Sequence, residues 1–283
     1  MKEEPQDSTS RGNLVEVRNL HFGYDTRPVL KGLTLDVPRG KVVGILGVSG
    51  CGKSTLLRLI GGQLRPAQGH VEVAGSIVDQ LDTTGLYGLR RKMGMMFQQS
   101  GLFTDLTVFE NIAFPYREHT DLPEPMIRDL VLMKLQAVGL RGAWRLRPSE
   151  LSGGMTRRVA LARAIALDPM LVMYDEPFAG LDPISLNVIA NLVRRLNSAV
   201  GLTSIIVTYD AAEALNTADL IYLMADGVVV GRGTPAELRE STDPYVHQFV
   251  HAEADGPVAF RYPAKPYDQD LGLASPSDRD RAP

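Results

Sequence analysis

The most constraining feature of this sequence is a glycine-rich segment, residues 47–54, which reads GVSGCGKS. An unbroken apolar run of the kind found in buried parallel strands precedes it, at residues 42–46, and a helical pattern follows it to Ile60. The spacing of its glycines, lysine and serine is that of a phosphate-binding loop, in the strand-to-helix context that such a loop requires. Glycines let backbone N–H groups surround phosphate oxygens, and the helix start adds partial positive charge. The segment therefore predicts an α/β fold that binds a nucleotide.

Individual positions of this loop have expected roles. Lys53 is expected to neutralise the β- and γ-phosphates, and the Ser54 hydroxyl is expected to ligate Mg²⁺. Cys51 is interpreted as a small residue of the loop rather than as a redox switch. The predicted nucleotide-binding residues in and beside the loop are Gly47, Val48, Ser49, Gly50, Cys51, Gly52, Lys53, Ser54 and Thr55.

A second segment, residues 171–176, is an apolar strand pattern that ends in two adjacent carboxylates, Asp175 and Glu176. In enzymes with a phosphate-binding loop, the first acid at such a strand end holds Mg²⁺, directly or through water. The second acid can activate the attacking water as a general base. The alternative, a solvated strand edge or a helix cap, is disfavoured by the phosphate-binding loop upstream.

A third segment, residues 151–155, reads LSGGM at the start of a predicted helix. Ser152, Gly153 and Gly154 form a second candidate anion site there, since a helix start offers free N–H groups. Arg157 and Arg158 of the same helix are expected on its solvated face. With these three segments the chain resembles the ABC transporter ATPases, whose signature motif reads LSGGQ and binds the γ-phosphate held by the other subunit. The motif departs from that pattern only at Met155.

This resemblance implies roles for three further residues. Gln98 corresponds to the glutamine that reaches Mg²⁺ and couples the site to the membrane subunit, so the implied metal set is Ser54, Gln98 and Asp175. Asp182 corresponds to an aspartate at the dimer interface. Tyr24 corresponds to the aromatic residue that stacks on adenine, although a tyrosine in a loop can also be merely packed. The implied ligands are ATP and Mg²⁺.

The chain departs from the family at Tyr209, where a histidine usually precedes Asp210. A phenol can donate one hydrogen bond towards the γ-phosphate, but it cannot supply the charge of an imidazolium. The resemblance therefore implies a catalytic set of Glu176, Gln98 and Tyr209, and hydrolysis is expected to be slower than a histidine would give. The alternative is that tyrosine is simply the native solution in this subgroup.

The order of patterns predicts the domain organisation. Period-two alternation at residues 14–20 and 33–37 favours an N-terminal antiparallel β subdomain, and strand–helix alternation favours a mainly parallel core sheet. A helical subdomain is expected as an insertion at about residues 100–160. The ATPase domain spans residues 14–250, between a disordered leader at 1–13 and an extended tail at 251–283, which is proposed to brace a dimer.

Composition narrows the possible partners. The net charge of −3 argues against a general nucleic-acid binder, and a single cysteine excludes an intramolecular disulfide. No stretch reaches the roughly 18 apolar residues of a membrane-spanning helix. Contact with a membrane is therefore expected only through a permease.

Several segments without catalytic residues resemble the ATPase subunits of the Mla phospholipid transporters. They are residues 57–63, 115–120, 133–142 and 255–263, together with the Met155 variant of the signature. The resemblance implies a homodimer in which each ATP lies between the two chains. It also implies an MlaE-type permease, an MlaB-type STAS protein and an MlaD-type lipid-binding protein, with phospholipid as the transported substrate. The implied location is the cytoplasmic face of the inner membrane of a Gram-negative bacterium.

Other functions remain as alternatives. The nearest is the ATPase of another ABC importer, for amino acids or another small solute. A nucleotide-binding regulator without turnover is a second alternative, because Tyr209 replaces histidine. An ABC ATPase of chromosome maintenance or translation is disfavoured, since the sequence has no coiled-coil insertion, tandem cassette or basic surface.

Overall fold

The computed structural model describes residues 12–258 and 267–271. Most of the predicted leader and tail, including Phe260, Tyr262 and Pro263, lies outside these residues. In the described part of the chain, no helix has both the length and the apolar character needed to cross a membrane.

Strands and helices follow an initial β-hairpin. The strands are β1 (Asn13–Tyr24), β2 (Arg27–Pro38), β3 (Val42–Gly47), β4 (Gln68–Val73), β5 (Ser76–Ile77), β6 (Met93–Met96), β7 (Leu171–Asp175), β8 (Thr203–Thr208), β9 (Leu220–Ala225) and β10 (Val228–Gly233). The α-helices are α1 (Lys53–Ile60), α2 (Thr83–Arg90), α3 (Val108–His119), α4 (Glu124–Ala137), α5 (Gly153–Ala164), α6 (Pro183–Val200), α7 (Ala211–Thr217), α8 (Pro235–Arg239), α9 (Pro244–His251) and α10 (Tyr267–Asp270). Three consecutive α-helices, α3 to α5, lie between β6 and β7.

The strands form two sheets. The core sheet has six strands in the order β10-β9-β3-β8-β7-β6, parallel except where β10 pairs antiparallel with β9. The second sheet has four antiparallel strands in the order β2-β1-β4-β5. The predicted α/β class, with a mainly parallel core and an antiparallel N-terminal sheet, is confirmed.

Strand β3 separates two hydrophobic clusters because successive side chains of a strand point to opposite faces. Val43 and Ile45 pack in a cluster with the antiparallel sheet and α1. Val42 and Leu46 pack in the other cluster, with residues of α3 to α7. Both faces of this strand are therefore covered, and the loop that follows it begins from a rigid position.

The region between β6 and β7 is helical, as its periodicity predicts. Helix α3 is capped by Thr107, whose hydroxyl accepts the N–H of Glu110 at 3.2 Å, and it continues through Pro115. Helix α5 starts at Gly153, within the LSGGM segment. These helices place the LSGGM segment at a free helix start.

Candidate functional site

A cavity of about 780 Å³ opens where the carboxyl ends of the core strands meet the edge of β2. Distant parts of the chain contribute to its lining. The predicted site residues that line it are Tyr24, Val48, Ser49, Gly50, Cys51, Gly52, Lys53, Ser54, Thr55, Gln98, Glu176 and Tyr209. Sequence reasoning missed Arg27, Lys31 and Asp226 in the lining, because none of them belongs to a motif.

The loop from β3 to α1 needs glycine at its first position for steric reasons. A Cβ on Gly47 would lie 2.4 Å from the carbonyl oxygen of Met224 and 2.7 Å from Sγ of Cys51. Gly52, which caps α1, has φ of 108°, a conformation that favours glycine. The loop can therefore take this path only with glycine at these positions.

Lys53 is buried, with 6% of its surface exposed. Its ammonium group donates to the carbonyl oxygens of Gly47 at 2.8 Å and Val48 at 3.1 Å. These contacts offset the cost of burying a charge and hold the side chain across its own loop. Lys53, which is predicted to bind phosphate, is thus held in one position in the lining of the cavity.

Ser54 and Asp175 form a direct pair between α1 and the end of β7. The Ser54 hydroxyl donates to Oδ1 of Asp175 at 2.9 Å. Burial raises the pKa of Asp175, and the hydrogen bond from Ser54 opposes that rise. Hydroxyl and carboxylate oxygens are ligands that Mg²⁺ prefers, so the two residues fit the predicted ion. Gln98, the third predicted metal ligand, is exposed just after β6.

Glu176 follows Asp175 in a left-handed conformation with φ of 48°, which is uncommon for a residue other than glycine. Its N–H donates to the carbonyl of Val207 at 2.9 Å, and one carboxylate oxygen accepts the N–H of Tyr209 at 3.3 Å. The other oxygen lies 3.8 Å from the Lys53 ammonium, and Glu176 is 7% exposed. Burial raises its pKa, opposed mainly by the charge of Lys53. Glu176 is therefore a fixed carboxylate with increased affinity for a proton.

Two tyrosines line the more open part of the cavity. Tyr24 ends β1, is 42% exposed and contacts Phe22 edge-on at a centroid distance of 5.0 Å. Tyr209 follows β8 and is 53% exposed. Both rings are accessible from the cavity, so neither is engaged solely in core packing.

The remaining predicted residues lie elsewhere on the chain. Asp182 and residues 152–154 are not among the described residues that line the cavity. Ser152 is exposed and caps α5 by accepting the N–H of Met155 at 3.3 Å. Asp182 caps α6 by accepting the N–H groups of Ile184 and Ser185, and hydrogen bonding to Ser185 lowers its pKa.

These two helix starts contact each other. A Cβ on Gly154 would lie only 2.6 Å from Oγ of Ser185. The LSGGM segment and the Asp182 segment therefore form one surface, separate from the cavity of the same chain.

The expectation of a solvated face for Arg157 is wrong. Arg157 is 9% exposed, and its guanidinium donates to the carbonyl oxygens of Phe97 and Ala179, both at 3.3 Å. Because two of its N–H groups have carbonyl acceptors, the cost of burying this charge is reduced. Burial still lowers the pKa of the Arg157 guanidinium. Arg158 is half-buried and donates to the Val138 carbonyl at 3.2 Å. The sequence carries no signal for these loop contacts.

Comparisons with a family model and with known protein sequences point to the same family. The sequence profile of the ABC transporter family matches residues 30–179. The chain is 55% identical to the intermembrane phospholipid transport system ATP-binding protein MlaF of Haemophilus influenzae, over 92% of this chain and 98% of that protein. It is 50% identical to the MlaF protein of Escherichia coli, over 93% of this chain and 97% of that protein.

Solved structures share the fold. The dimeric structure of MJ0796, a bacterial ABC transporter cassette, matches with a TM-score of 0.72 at 31% identity, over 78% of this chain and 98% of that chain. A post-hydrolysis dimer of the same cassette, bound to ADP and Pi, matches equally well. Sequence profile, relatives and fold agree: the chain belongs to the ABC transporter family, among the ATP-binding proteins related to MlaF.

Proposed function

We propose that this chain is the ATP-hydrolysing subunit of a transporter that moves phospholipid between the inner and outer membranes, acting as a homodimer. The proposal rests on the close relation to two MlaF proteins over nearly their whole length. One structural observation carries the mechanism. The residues proposed to bind the triphosphate, among them Lys53 and Ser54, line one cavity, whereas the exposed Ser152 segment and Asp182 lie on a separate surface of the same chain.

This separation is best explained by two copies. A two-fold axis that places residues 152–154 of one chain over the cavity of the other would create two equivalent nucleotide sites. Each ATP would then contact Lys53 and Ser54 of one chain and the start of α5 in its partner. The dimeric form of the related cassette MJ0796 supports this arrangement.

In the proposed reaction, Lys53 exchanges its carbonyl partners for β- and γ-phosphate oxygens and holds them. Glu176 orients a water molecule for in-line attack on the γ-phosphate and accepts its proton, which its raised pKa favours. Tyr24 stacks on the adenine base. Mg²⁺, held through Ser54, Asp175 and Gln98, supplies charge neutralisation to the phosphates when bound.

The partners follow from the proposed system. The chain would attach to the inner membrane from the cytoplasmic side through an MlaE-type permease, accompanied by MlaB-type and MlaD-type proteins. Two exposed aromatic residues, Phe97 immediately before Gln98 and Phe103 further along the same connection, are available for contact with a permease. Loss of phosphate after hydrolysis would open the dimer and pass motion to that partner.

Two experiments test the proposal. In the first, the hydrolysis-deficient variant Glu176→Gln is analysed by size-exclusion chromatography with ATP and Mg²⁺. It should dimerise, and the added substitution Ser152→Arg should abolish the dimer without changing nucleotide affinity of the single chain. Ser198→Arg, which changes an exposed serine of α6, is the matched control. A Ser152→Arg variant that dimerises normally would refute the shared site.

In the second experiment, the chain is purified with its permease, and bound molecules are identified by mass spectrometry. Phospholipid should copurify, and phosphate release should depend on Glu176. Stimulation of phosphate release by an amino acid or another small solute, without bound phospholipid, would instead identify a different importer. Absence of phosphate release from the wild-type complex would identify a regulator.

A further inference from the structure

Two arginines of α5, Arg157 and Arg163, donate hydrogen bonds to the backbone of the loop that carries Gln98. Arg157 donates to the Phe97 carbonyl at 3.3 Å, immediately before Gln98. Arg163 donates to the carbonyls of Ser100 at 3.1 Å and Gly101 at 2.8 Å, after Gln98. The backbone on both sides of Gln98 is therefore hydrogen-bonded to α5, the helix that Ser152 caps.

The loop has an unusual backbone conformation. Ser100 and Gly101 both have positive φ, at 62° and 59°, and Gln98 is exposed. Two short backbone hydrogen bonds lie within the loop: the Ser100 N–H donates to the Phe97 carbonyl at 2.8 Å, and the Gly101 N–H donates to the Gln99 carbonyl at 2.7 Å. Arg157 also donates to the Phe97 carbonyl and thus holds the first of these turns from outside the loop.

Arg157 also bonds to a third segment. Its second donor contacts the Ala179 carbonyl at 3.3 Å, in the loop between Glu176 and Asp182. A guanidinium is planar and presents its N–H groups in a fixed fork, so it holds two acceptors at a defined separation. The charge is nearly fully buried, which makes an unpaired state costly and favours keeping both contacts.

We infer that Arg157 is a positioning residue. It fixes the positions of the Gln98 loop and of the loop between Glu176 and Asp182 relative to α5, which starts in the LSGGM segment. The inference rests on the proposed function and adds a residue to it. Displacement of the Gln98 loop by a membrane partner reaches α5 and the Asp182 segment through this guanidinium. Arg157 thereby affects the transition state of hydrolysis without contacting ATP.

This role predicts a separation of kinetic effects. Arg157 contacts neither Lys53 nor Ser54, so nucleotide affinity of the single chain should not depend on it. Turnover requires the Gln98 loop, Glu176 and the partner's LSGGM segment in register. A displacement of about 1 Å at such positions can lower a rate by about a hundredfold.

The test uses the full chain in complex with its permease. Arg157→Met removes both contacts while keeping an apolar stem, and Arg157→Lys keeps the charge but not the fork. Arg158→Met is the matched control, because Arg158 lies on the same helix and, among the described residues, its side chain hydrogen-bonds only to the carbonyl of Val138, just after α4. For each variant, kcat and KM for ATP are measured, together with nucleotide affinity of the isolated chain and the thermal unfolding midpoint.

Arg157→Met should lower kcat by about ten- to a hundredfold with unchanged nucleotide affinity. Arg157→Lys should recover part of kcat, and Arg158→Met should retain it. Wild-type kcat in Arg157→Met, an equal loss in Arg158→Met, or a parallel loss of nucleotide affinity would overturn the inference. If Arg157→Met does not fold, Arg157→Gln replaces it under the same criteria. A wild-type complex that hydrolyses no ATP would instead refute the proposed function.

Discussion

The contact between Lys53 and Glu176 allows a quantitative test of the site before any nucleotide binds. Both side chains are buried, and their charged atoms lie 3.8 Å apart. At an effective dielectric constant of about 20, two unit charges at that distance attract by about 4 kcal/mol. The Tyr209 N–H also stabilises the carboxylate, and the carboxyl group can take up a proton when its partner is lost. We therefore expect a net coupling of about 2 kcal/mol, within the usual range for contacting residues.

A double-mutant cycle isolates this coupling. Urea unfolding, followed by circular dichroism, is measured for wild type, Lys53→Met, Glu176→Gln and the double variant. Lys53→Met also loses the hydrogen bonds to Gly47 and Val48, but this loss occurs in both the single and the double variant and cancels. Lys53→Met should be clearly destabilised at neutral pH, and adding Glu176→Gln should restore much of the loss.

The pH dependence of the cycle has a defined sign. Burial already raises the pKa of Glu176, and Lys53 opposes that rise. Without Lys53, the pKa of Glu176 in the folded state moves further above its unfolded value. The destabilisation of Lys53→Met is then present above that folded pKa and decreases as the pH falls through it. A coupling below about 0.5 kcal/mol, or one that grows towards acidic pH, would refute this reasoning.

Three further predictions concern turnover. The pH profile of kcat should have an acidic limb with an apparent pKa above that of an ordinary glutamate, because burial raises the pKa of Glu176; a limb at the ordinary value would contradict this assignment. Tyr209→His should raise kcat, by roughly tenfold or less, since an imidazolium adds charge near the γ-phosphate; an unchanged or lower kcat would show that tyrosine is no handicap. Gly154→Ala should lower kcat by at least about tenfold without changing the nucleotide affinity of the single chain. The new Cβ would lie 2.6 Å from Oγ of Ser185 and would displace the LSGGM segment. Adding Ser185→Gly should restore part of the activity, and no recovery would separate the defect from this contact.

The parts of the fold with strong local signals could be predicted from the sequence. The residues of β3 form an unbroken apolar run, and the following loop needs glycines that the sequence displays. In contrast, the sequences of β4, β5 and α2 carry only weak signals for strand or helix, so these three elements are not predicted from the sequence. Strand β5 is only Ser76–Ile77, and α2 contains both Gly85 and Gly88, which lower its helix propensity. These elements depend on tertiary packing rather than on pattern.

The candidate site shows the same division. Motif spacing predicted most of the site residues that line the cavity, because phosphate chemistry restricts the residue types of such a loop. It did not identify Arg157 as buried, since its partners are backbone carbonyls of Phe97 and Ala179. Any residue has a backbone carbonyl, so no side-chain pattern records such a contact. Charged side chains on a helix are usually solvated, and this prior fails where a guanidinium finds two buried acceptors.

The proposed dimer also has a physical consequence for how the site closes. Helix α1 begins inside the cavity, whereas α5 begins at an exposed surface beside Ser152. Both helix starts attract anions, and a terminal phosphate between them satisfies both at once. In the proposed dimer, the force that would join the two chains at this point is therefore electrostatic and would depend on the charge of the bound nucleotide. Hydrolysis and release of phosphate would remove that charge, so opening of the proposed dimer would follow from the chemistry itself.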